Sequence, residues 1–446
     1  MKGADSDRTE SGFRVRTRVA EARSILREAL ETRDVRCGSE RIPLERADGH
    51  VLAEAVTAAV DVPHYERAAM DGYAVRAADT FGATERSPAV LRQEGTPDHD
   101  SPLGPDTARR VHTGSAMPPE ADAVVMIERV EDLEATDEVE ILEGVAEREN
   151  VAPVGEDVEA GQSLYEPGHR LRPSDLGLLR SVGTRRPLVS TRPTVGVIPT
   201  GEELVQADPD PGEVIETNGL TVSRLVERWG ARATHREVVT DDPESLRVAI
   251  QRDLTKDVVV TTGGSSVGER DLLPEVIDDL GEVLVHGVAL KPGHPVCLGV
   301  VDDTPVLALP GYPVACIINA VQFVRPVLAW LESAEPSPQP SVEATLERKI
   351  PSEPGTRTFA RVSLEAEGSD SAADSGSDSV PDLDPDPDAS TGSDGEHTTA
   401  WTATPTRASG SGVLSSVALA DGWVVVPESR EGIPAGEVVT VEVWDA

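Results

Sequence analysis

Thr261-Thr262-Gly263-Gly264-Ser265-Ser266-Val267-Gly268-Glu269-Arg270-Asp271 follows the β-branched run Asp257-Val258-Val259-Val260 and precedes Leu272-Leu273-Pro274-Glu275-Val276-Ile277. The first run reads as a buried strand and the last has apolar residues at helical spacing, so the segment is strand, glycine-rich turn, helix. Paired glycines let backbone N–H groups face a ligand with no Cβ in the way, and a helix start adds partial positive charge. Ser265 and Ser266 supply hydroxyl donors, whereas Asp271 ends the loop with a carboxylate that cannot help to bind a bare anion. An anion cradle carrying an acid suggests a bridging metal ion, or a substrate with both donors and phosphate. The other reading is a turn that needs glycine for geometry alone, and this loop by itself does not decide between them.

Outward from this loop, from Thr194 to about Leu331, short aliphatic strands (195–198, 257–260, 283–285, 305–309) alternate with amphipathic helices at about 218–229, 243–253, 272–280 and 313–331. Asn218 reads as a helix N-cap and Gly230 as a C′ residue. Alternating βαβ units imply a parallel sheet with helices on both faces, and ligands bind such sheets outside the carboxyl ends of the strands. Three of those ends carry unusual chemistry: Pro199-Thr200-Gly201-Glu202-Glu203-Leu204, the 261–271 loop, and Leu309-Pro310-Gly311-Tyr312-Pro313-Val314. Pro313 falls in the first turn of its helix, where a missing N–H costs little. Lys291-Pro292-Gly293-His294-Pro295 lies between the second and third, with a lysine that can sit over a phosphate. Together the loops favour a phosphorylated or nucleotide-bearing ligand. The carboxylates of Glu203, Asp241, Asp242 and Asp271 are hard oxygen donors of the kind that suit Mg²⁺. For Asp241-Asp242 the competing reading is a helix N-cap before Pro243.

Composition narrows the function. The chain has 446 residues, a formal net charge of -39, 3% aromatics and only four lysines: Lys2, Lys256, Lys291 and Lys349. An acidic excess spread along the whole length reads as adaptation to high salt, where self-repulsion is screened. It is hostile to binding of nucleic acid and of anionic membranes. Of three cysteines, Cys297 and Cys316 lie in apolar runs and are expected in the core. No signal-peptide core and no apolar run of membrane-spanning length is read, so a soluble, cytoplasmic protein is expected.

Elsewhere, apolar residues at 15, 19, 22, 26 and 30 predict a one-faced helix, and 171–182 a second helix capped at Gly183. The segment Asp61-Val62-Pro63-His64-Tyr65-Glu66-Arg67-Ala68-Ala69-Met70-Asp71-Gly72-Tyr73 is extended and presents Arg67 and Asp71, unless it is a bulge with an Asx turn. Thr113 sits in a small hydroxylated turn that could serve an oxyanion or simply be an ST-turn; Val154-Gly155-Glu156-Asp157-Val158 forms another turn. Past a proline cluster (Pro336, Pro338, Pro340), strand signals predict a small all-β domain for which a barrel is one closure. Residues 365–399 hold Ser, Asp, Gly and Pro with no Lys or Arg, too little to bury, and read as a disordered insertion.

Taken together, AAMDGYAV at 68–75, Thr113-Gly114, ADAVV at 121–125, Gly155 to Val158, TGEEL at 200–204, the 262–271 loop, Lys291 to Pro295 and Leu309 to Val314 resemble the molybdopterin molybdenumtransferase family, known as MoeA in bacteria and as the E domain of gephyrin in animals. The resemblance runs in the family's order from about residue 15 to the C-terminus. It implies a multidomain α/β and β fold: an elongated four-domain protomer with a parallel-sheet α/β molybdopterin-binding domain and a C-terminal β-barrel. The expected boundaries are a discontinuous linker domain at 13–45 and 152–186, an inserted β-rich domain at 46–151, the α/β domain at 187–334 and the barrel domain at 335–446. A homodimer is implied, as is Mg²⁺-assisted insertion of molybdate into adenylylated molybdopterin with release of AMP. Carried over by motif, Asp71, Thr113, Asp157, Glu203 and Asp271 are implied for activity. Arg67, Thr200, Gly201, Gly263, Gly264, Ser265, Ser266, Gly268, Lys291, Pro310, Gly311 and Pro313 are implied for substrate, and Glu203, Asp241, Asp242 and Asp271 for the metal. The chain departs from the family pattern at Ala68 for Ser, His294 for Lys, Tyr312 for Asn and Ala315 for Ser. These losses weaken an anion-binding set, while Tyr312 could stack on a pterin or purine. They keep open a tungstate-preferring relative or a carrier without transfer activity.

Overall fold

Valine-rich runs that bury both faces make the central sheet. The computed structural model describes residues 8–9, 12–13, 16–95, 101–133, 135–264, 272–366, 401–406 and 412–444. The chain divides into two units: residues up to 39 with those from 190 onward, and residues 40–189.

In the first unit we label helix α1 (Val19–Thr32), strand β1 (Thr194–Pro199), α2 (Asn218–Arg228), β2 (Arg232–His235), α3 (Pro243–Asp253), β3 (Val258–Thr262), α4 (Leu272–Leu280), β4 (Glu282–His286), β5 (Leu290–Lys291), β6 (Cys297–Val301), β7 (Thr304–Leu309) and α5 (Pro313–Leu331). The sheet order is β2-β1-β3-β7-β6-β4. Strands β2, β1, β3 and β7 are parallel, β6 runs antiparallel to them, and β4 pairs antiparallel with β6 and so runs with the rest. The expected all-parallel sheet is therefore corrected to a mixed one. The cause is a two-residue turn: Asp302 and Asp303 both adopt positive φ (45° and 65°), which closes β6 onto β7 as a tight hairpin.

Helix α1 places Val19, Ala22, Leu26 and Leu30 on one stripe, and these share a core with Val195, Val258, Leu307 and Phe323. Each such fully buried leucine contributes about 2 kcal/mol. Cys297 and Cys316 are buried, as their apolar neighbours predict. One expectation fails here. Helix α5, at 19 residues, is long and apolar enough to cross a membrane by length and composition, but most of it is buried inside this unit.

The same unit ends in β8 (Ser341–Leu346), β9 (Arg357–Ala366), β10 (Trp401–Pro405), β11 (Gly422–Val426) and β12 (Val438–Glu442). Pairing runs β9-β10-β8-β12-β11 and returns to β9, a closed barrel around Leu346, Val362, Ala403 and Val441. Strand β5 adds to its edge through Leu290↔Arg357 and Lys291↔Thr358. From residue 367 the insertion expected at 365–399 lies outside the described residues.

The second unit is built on a six-stranded sheet, in the order Val130–Leu133, Glu138–Ile141, Ala89–Gln93, Thr107–Val111, Gly72–Val75, Ala123–Met126. Tyr73, Leu91, Val125 and Ile141 fill its core. A helix, Pro173–Ser181, stops where Gly183 takes φ 90°.

Candidate functional site

Register brings the sheet's carboxyl ends level. Pro199 pairs with Thr262, and Thr262 with Leu309, so β1, β3 and β7 finish in one row. Because β6 is antiparallel, Cys297 faces Ala308 and His286 faces Cys297, which delivers the 287–296 connection to the same edge. The Gly293 carbonyl there accepts the Asn319 side-chain amide N–H at 2.9 Å, pinning the connection to α5.

The loops touch through glycine. Gly263 N–H donates to the Leu309 carbonyl at 3.1 Å, and Gly201 N–H to Val239 at 3.1 Å. Gly263 has φ 135°, and a Cβ there would lie 2.1 Å from the Thr200 carbonyl oxygen. No side chain fits that approach. A Cβ on Gly311 would come within 3.4 Å of the Gly263 Cα, so the second and third loops are neighbours. Pro313 opens α5 with its ring at the helix start, and Pro310 lies between β7 and Gly311. Asn218 is not the cap of α2; Thr217 takes that position, and the Asn218 amide donates to the Gly311 carbonyl at 2.7 Å. Below it, the buried Glu216 carboxylate accepts the Gly219 N–H at 2.5 Å and meets His235 Nε2 at 3.3 Å. The Glu-Thr-Asn run before α2 gave no sign of either role.

Three oxygens at this edge, Thr200 Oγ1, Thr262 Oγ1 and Asp241 Oδ1, are buried with no hydrogen-bond partner among the described residues. Buried polar atoms are seldom left so, and each calls for a ligand, water or ion. Burial first, and then the neighbouring Glu203 carboxylate, raise the pKa of Asp241, against a smaller lowering by the Thr200 hydroxyl beside it. Glu203 itself is exposed, beside Gly201. Asp242 behaves differently from its neighbour. It caps α3, accepting from Ser245 N–H at 3.0 Å and Thr240 Oγ1 at 2.8 Å, and these bonds, Ser245's foremost, lower its pKa to about 2. Among the described residues no three His, Cys, Asp or Glu side chains are grouped to hold a metal. The Asp241–Glu203 pair with the Thr200 hydroxyl still fits a hard cation that keeps most of its waters, as Mg²⁺ does. Ser265, Ser266, Gly268 and Asp271 lie outside the described residues. Lys291 Nζ pairs with Glu353 at 2.8 Å, both ends exposed.

A second cluster forms within the 40–189 unit. Asp71 Oδ1 accepts Thr113 N–H at 2.6 Å and Thr113 Oγ1 at 2.9 Å, and these bonds lower its pKa although it is exposed. The chain at Arg67–Ala68 pairs with Val151–Ala152, and Ala68 exchanges backbone hydrogen bonds with the 114–115 turn. Arg67 reaches Glu156 at 3.2 Å, one residue before the exposed Asp157, whose N–H donates to the Val62 carbonyl at 2.9 Å. Arg67, Asp71, Thr113 and Asp157 thus gather, whereas the sequence alone left them dispersed over ninety positions.

The fold and the edge define a class: a multidomain protein whose α/β domain ends in a polar, glycine-rich rim, followed by a closed barrel. Models of known families match along the chain. The MoeA N-terminal region (domain I and II) matches residues 17–183, the model described as "Probable molybdopterin binding domain" matches 196–330, and the MoeA C-terminal region (domain IV) matches 394–444. Molybdopterin molybdenumtransferase 2 of Mycobacterium tuberculosis is 32% identical over 347 residues, covering 74% of this chain and 84% of that one. The molybdopterin molybdenumtransferase of Bacillus subtilis is 30% identical over 418 residues, covering 90% and 89%. A molybdopterin biosynthesis MoeA protein from Pyrococcus horikoshii superposes with a TM-score of 0.77 at 28% identity, covering 96% of this chain and 100% of that one. The chain belongs to the MoeA family, a family of transferases in molybdenum cofactor biosynthesis.

Proposed function

We propose that this protein inserts molybdenum from molybdate into adenylylated molybdopterin, with AMP as the leaving product. The observation that supports it most is the row of strand ends where Gly263, Gly311 and Thr200 meet beside Asp241, whose Oδ1 has no partner among the described residues. Backbone N–H groups and glycine clearance suit a pyrophosphate, whose oxygens need donors as its bridge breaks. Lys291 can turn to those oxygens because an exposed pair such as Lys291–Glu353 is worth at most about 1 kcal/mol. Asp241 and Glu203 would hold Mg²⁺, which when bound supplies charge neutralisation at the phosphates. Asp71 and Thr113 are assigned to the same activity, their mutual bonds fixing a carboxylate in the ionised state. We further read the protein as a cytoplasmic homodimer working at high salt, where its charge of -39 is screened.

The test is AMP release from adenylylated molybdopterin with molybdate and Mg²⁺. Release that requires all three supports the reading. One feature favours a carrier instead: His294 replaces a lysine, and burial followed by the nearby Arg16 lowers its pKa, so it brings less positive charge. Tight ligand binding with AMP at background would select the carrier.

A further inference from the structure

Pro326 lies four residues beyond Gln322 in α5 and has no N–H to give to the Gln322 carbonyl. The helix widens into a π turn over Ala320–Val324, with Arg325 N–H bonded to the Ala320 carbonyl. Such turns are rare and cluster at functional sites. The released Gln322 carbonyl accepts Arg23 Nε at 2.8 Å, and Gln322 Oε1 accepts Arg23 Nη2 at 2.7 Å. One proline thereby fixes a guanidinium from α1 in the wall of a cavity of about 250 Å³.

Two more guanidiniums line the same cavity. Arg325 is oriented by the Ser337 carbonyl at 2.6 Å, and Arg357 by Glu428 at 3.2 Å. Glu442 is the one carboxylate among the lining residues, and the Trp423 indole N–H already bonds it at 2.9 Å. With Glu428 set against Arg357, the three guanidiniums exceed the carboxylates by one positive charge, in a chain whose net charge is -39. Gln339 adds a buried amide nitrogen with no partner among the described residues. Burial, and next the charge of Arg357, lower the pKa of Arg23 to about 10. Like charges held together in a half-dry space are relieved by an anion.

We propose that this cavity is a binding site for a small tetrahedral dianion of the phosphate class. It shares no residue with the strand-end loops, so the inference does not rest on the transferase reading. The experiment is calorimetric titration of the full chain with inorganic phosphate, ionic strength being held constant with chloride. A saturable site is expected, weakened at least about tenfold by Arg325→Gln and by Gln339→Leu, and unchanged in Lys349→Ala. Melting curves of both weakened variants must match the parent. Arg23→Gln is a poor probe because it also strips the π turn of its partner. Absence of saturable binding overturns the proposal. So does phosphate binding that Arg325→Gln and Gln339→Leu leave unchanged.

Discussion

Asp71 and Asp241 are two carboxylates in opposite electrical circumstances. Asp71 is exposed, yet two bonds from Thr113 hold it ionised below the usual range. Asp241 is half-buried, lacks a partner for Oδ1 among the described residues, faces Glu203, and has its pKa raised. Burial raises the second and a pair of donors lowers the first. The first carboxylate is complete within its own unit. The second is an unfinished site, which a cation or a donor-rich substrate would complete.

The same contrast holds for the glycines beside them, and it gives the largest effect. Gly114 has φ 85° and open space where a Cβ would go, whereas Gly263 has φ 135° with the Thr200 carbonyl oxygen 2.1 Å from that point. Gly114→Ala is expected to cost about 1 kcal/mol for the backbone alone. Gly263→Ala adds a collision with backbone, so a loss above about 3 kcal/mol is expected, together with loss of AMP release. Equal melting shifts for the two variants would break the comparison.

Asp241→Asn should lower AMP release about a hundredfold while leaving the fold intact, since it removes a charge placed to meet positive charge at the strand ends. Its pH signature has a fixed sign. With the folded pKa raised, the native state holds the proton more tightly, and stability falls as pH rises from the ordinary value near 3.9 to the folded one. Asn lacks this fall, so the variant gains on the parent across that window. Denaturant titrations between pH 3 and 7 check it, and a variant that loses ground as pH rises would contradict the assignment.

Much of this was readable beforehand, for physical reasons. Buried valine runs announce strands, and glycine pairs after them announce close backbone approach; hence the row of strand ends at Pro199, Thr262 and Leu309 was foreseeable. Strand β2 was missed because its Arg-Ala-Thr-His sequence is half-exposed at the sheet edge and carries no apolar run. Strand β6 was read only as core, and the antiparallel edge went with it, although Asp302-Asp303 between two aliphatic runs was the available hairpin signal. Adjacent aspartates could not be told apart either: only the turn into α3 decides that Asp242 caps the helix while Asp241 turns to the Thr200 side and leaves Oδ1 without a partner among the described residues. Asn218 reads as a cap by type, but the chain enters α2 one residue earlier and frees it to tether Gly311.

Thr113→Val tests the completed carboxylate and should mirror the Asp241 result. It removes the hydroxyl bond at 2.9 Å and keeps the backbone one. A carboxylate whose folded pKa is depressed contributes stability above its ordinary value and loses it as pH falls through the folded value. The gap in melting temperature between parent and variant should thus be full above about pH 4 and close in stronger acid. A gap of constant size over pH 2 to 7 would mean that Thr113 stabilises the turn without reference to the charge of Asp71.

The smallest effect on stability is expected at Lys291–Glu353, where side chains 57% and 66% exposed meet at 2.8 Å. The lysine lowers the pKa of Glu353, but solvent screens so open a pair, and Glu353→Gln should shift stability by no more than about 0.5 kcal/mol. Its informative consequence is at the substrate. If Lys291 leaves Glu353 to meet phosphate oxygens, removing the competing carboxylate should lower KM for adenylylated molybdopterin by a few-fold, with kcat nearly unchanged. The effect should fade as salt is added, because screening weakens both the competition and its relief. A KM that rises would instead mean that Glu353 holds the lysine in its working position. The pair would then resemble Asp71 with Thr113, a group fixed by its neighbour, and not Asp241, a group waiting for its ligand.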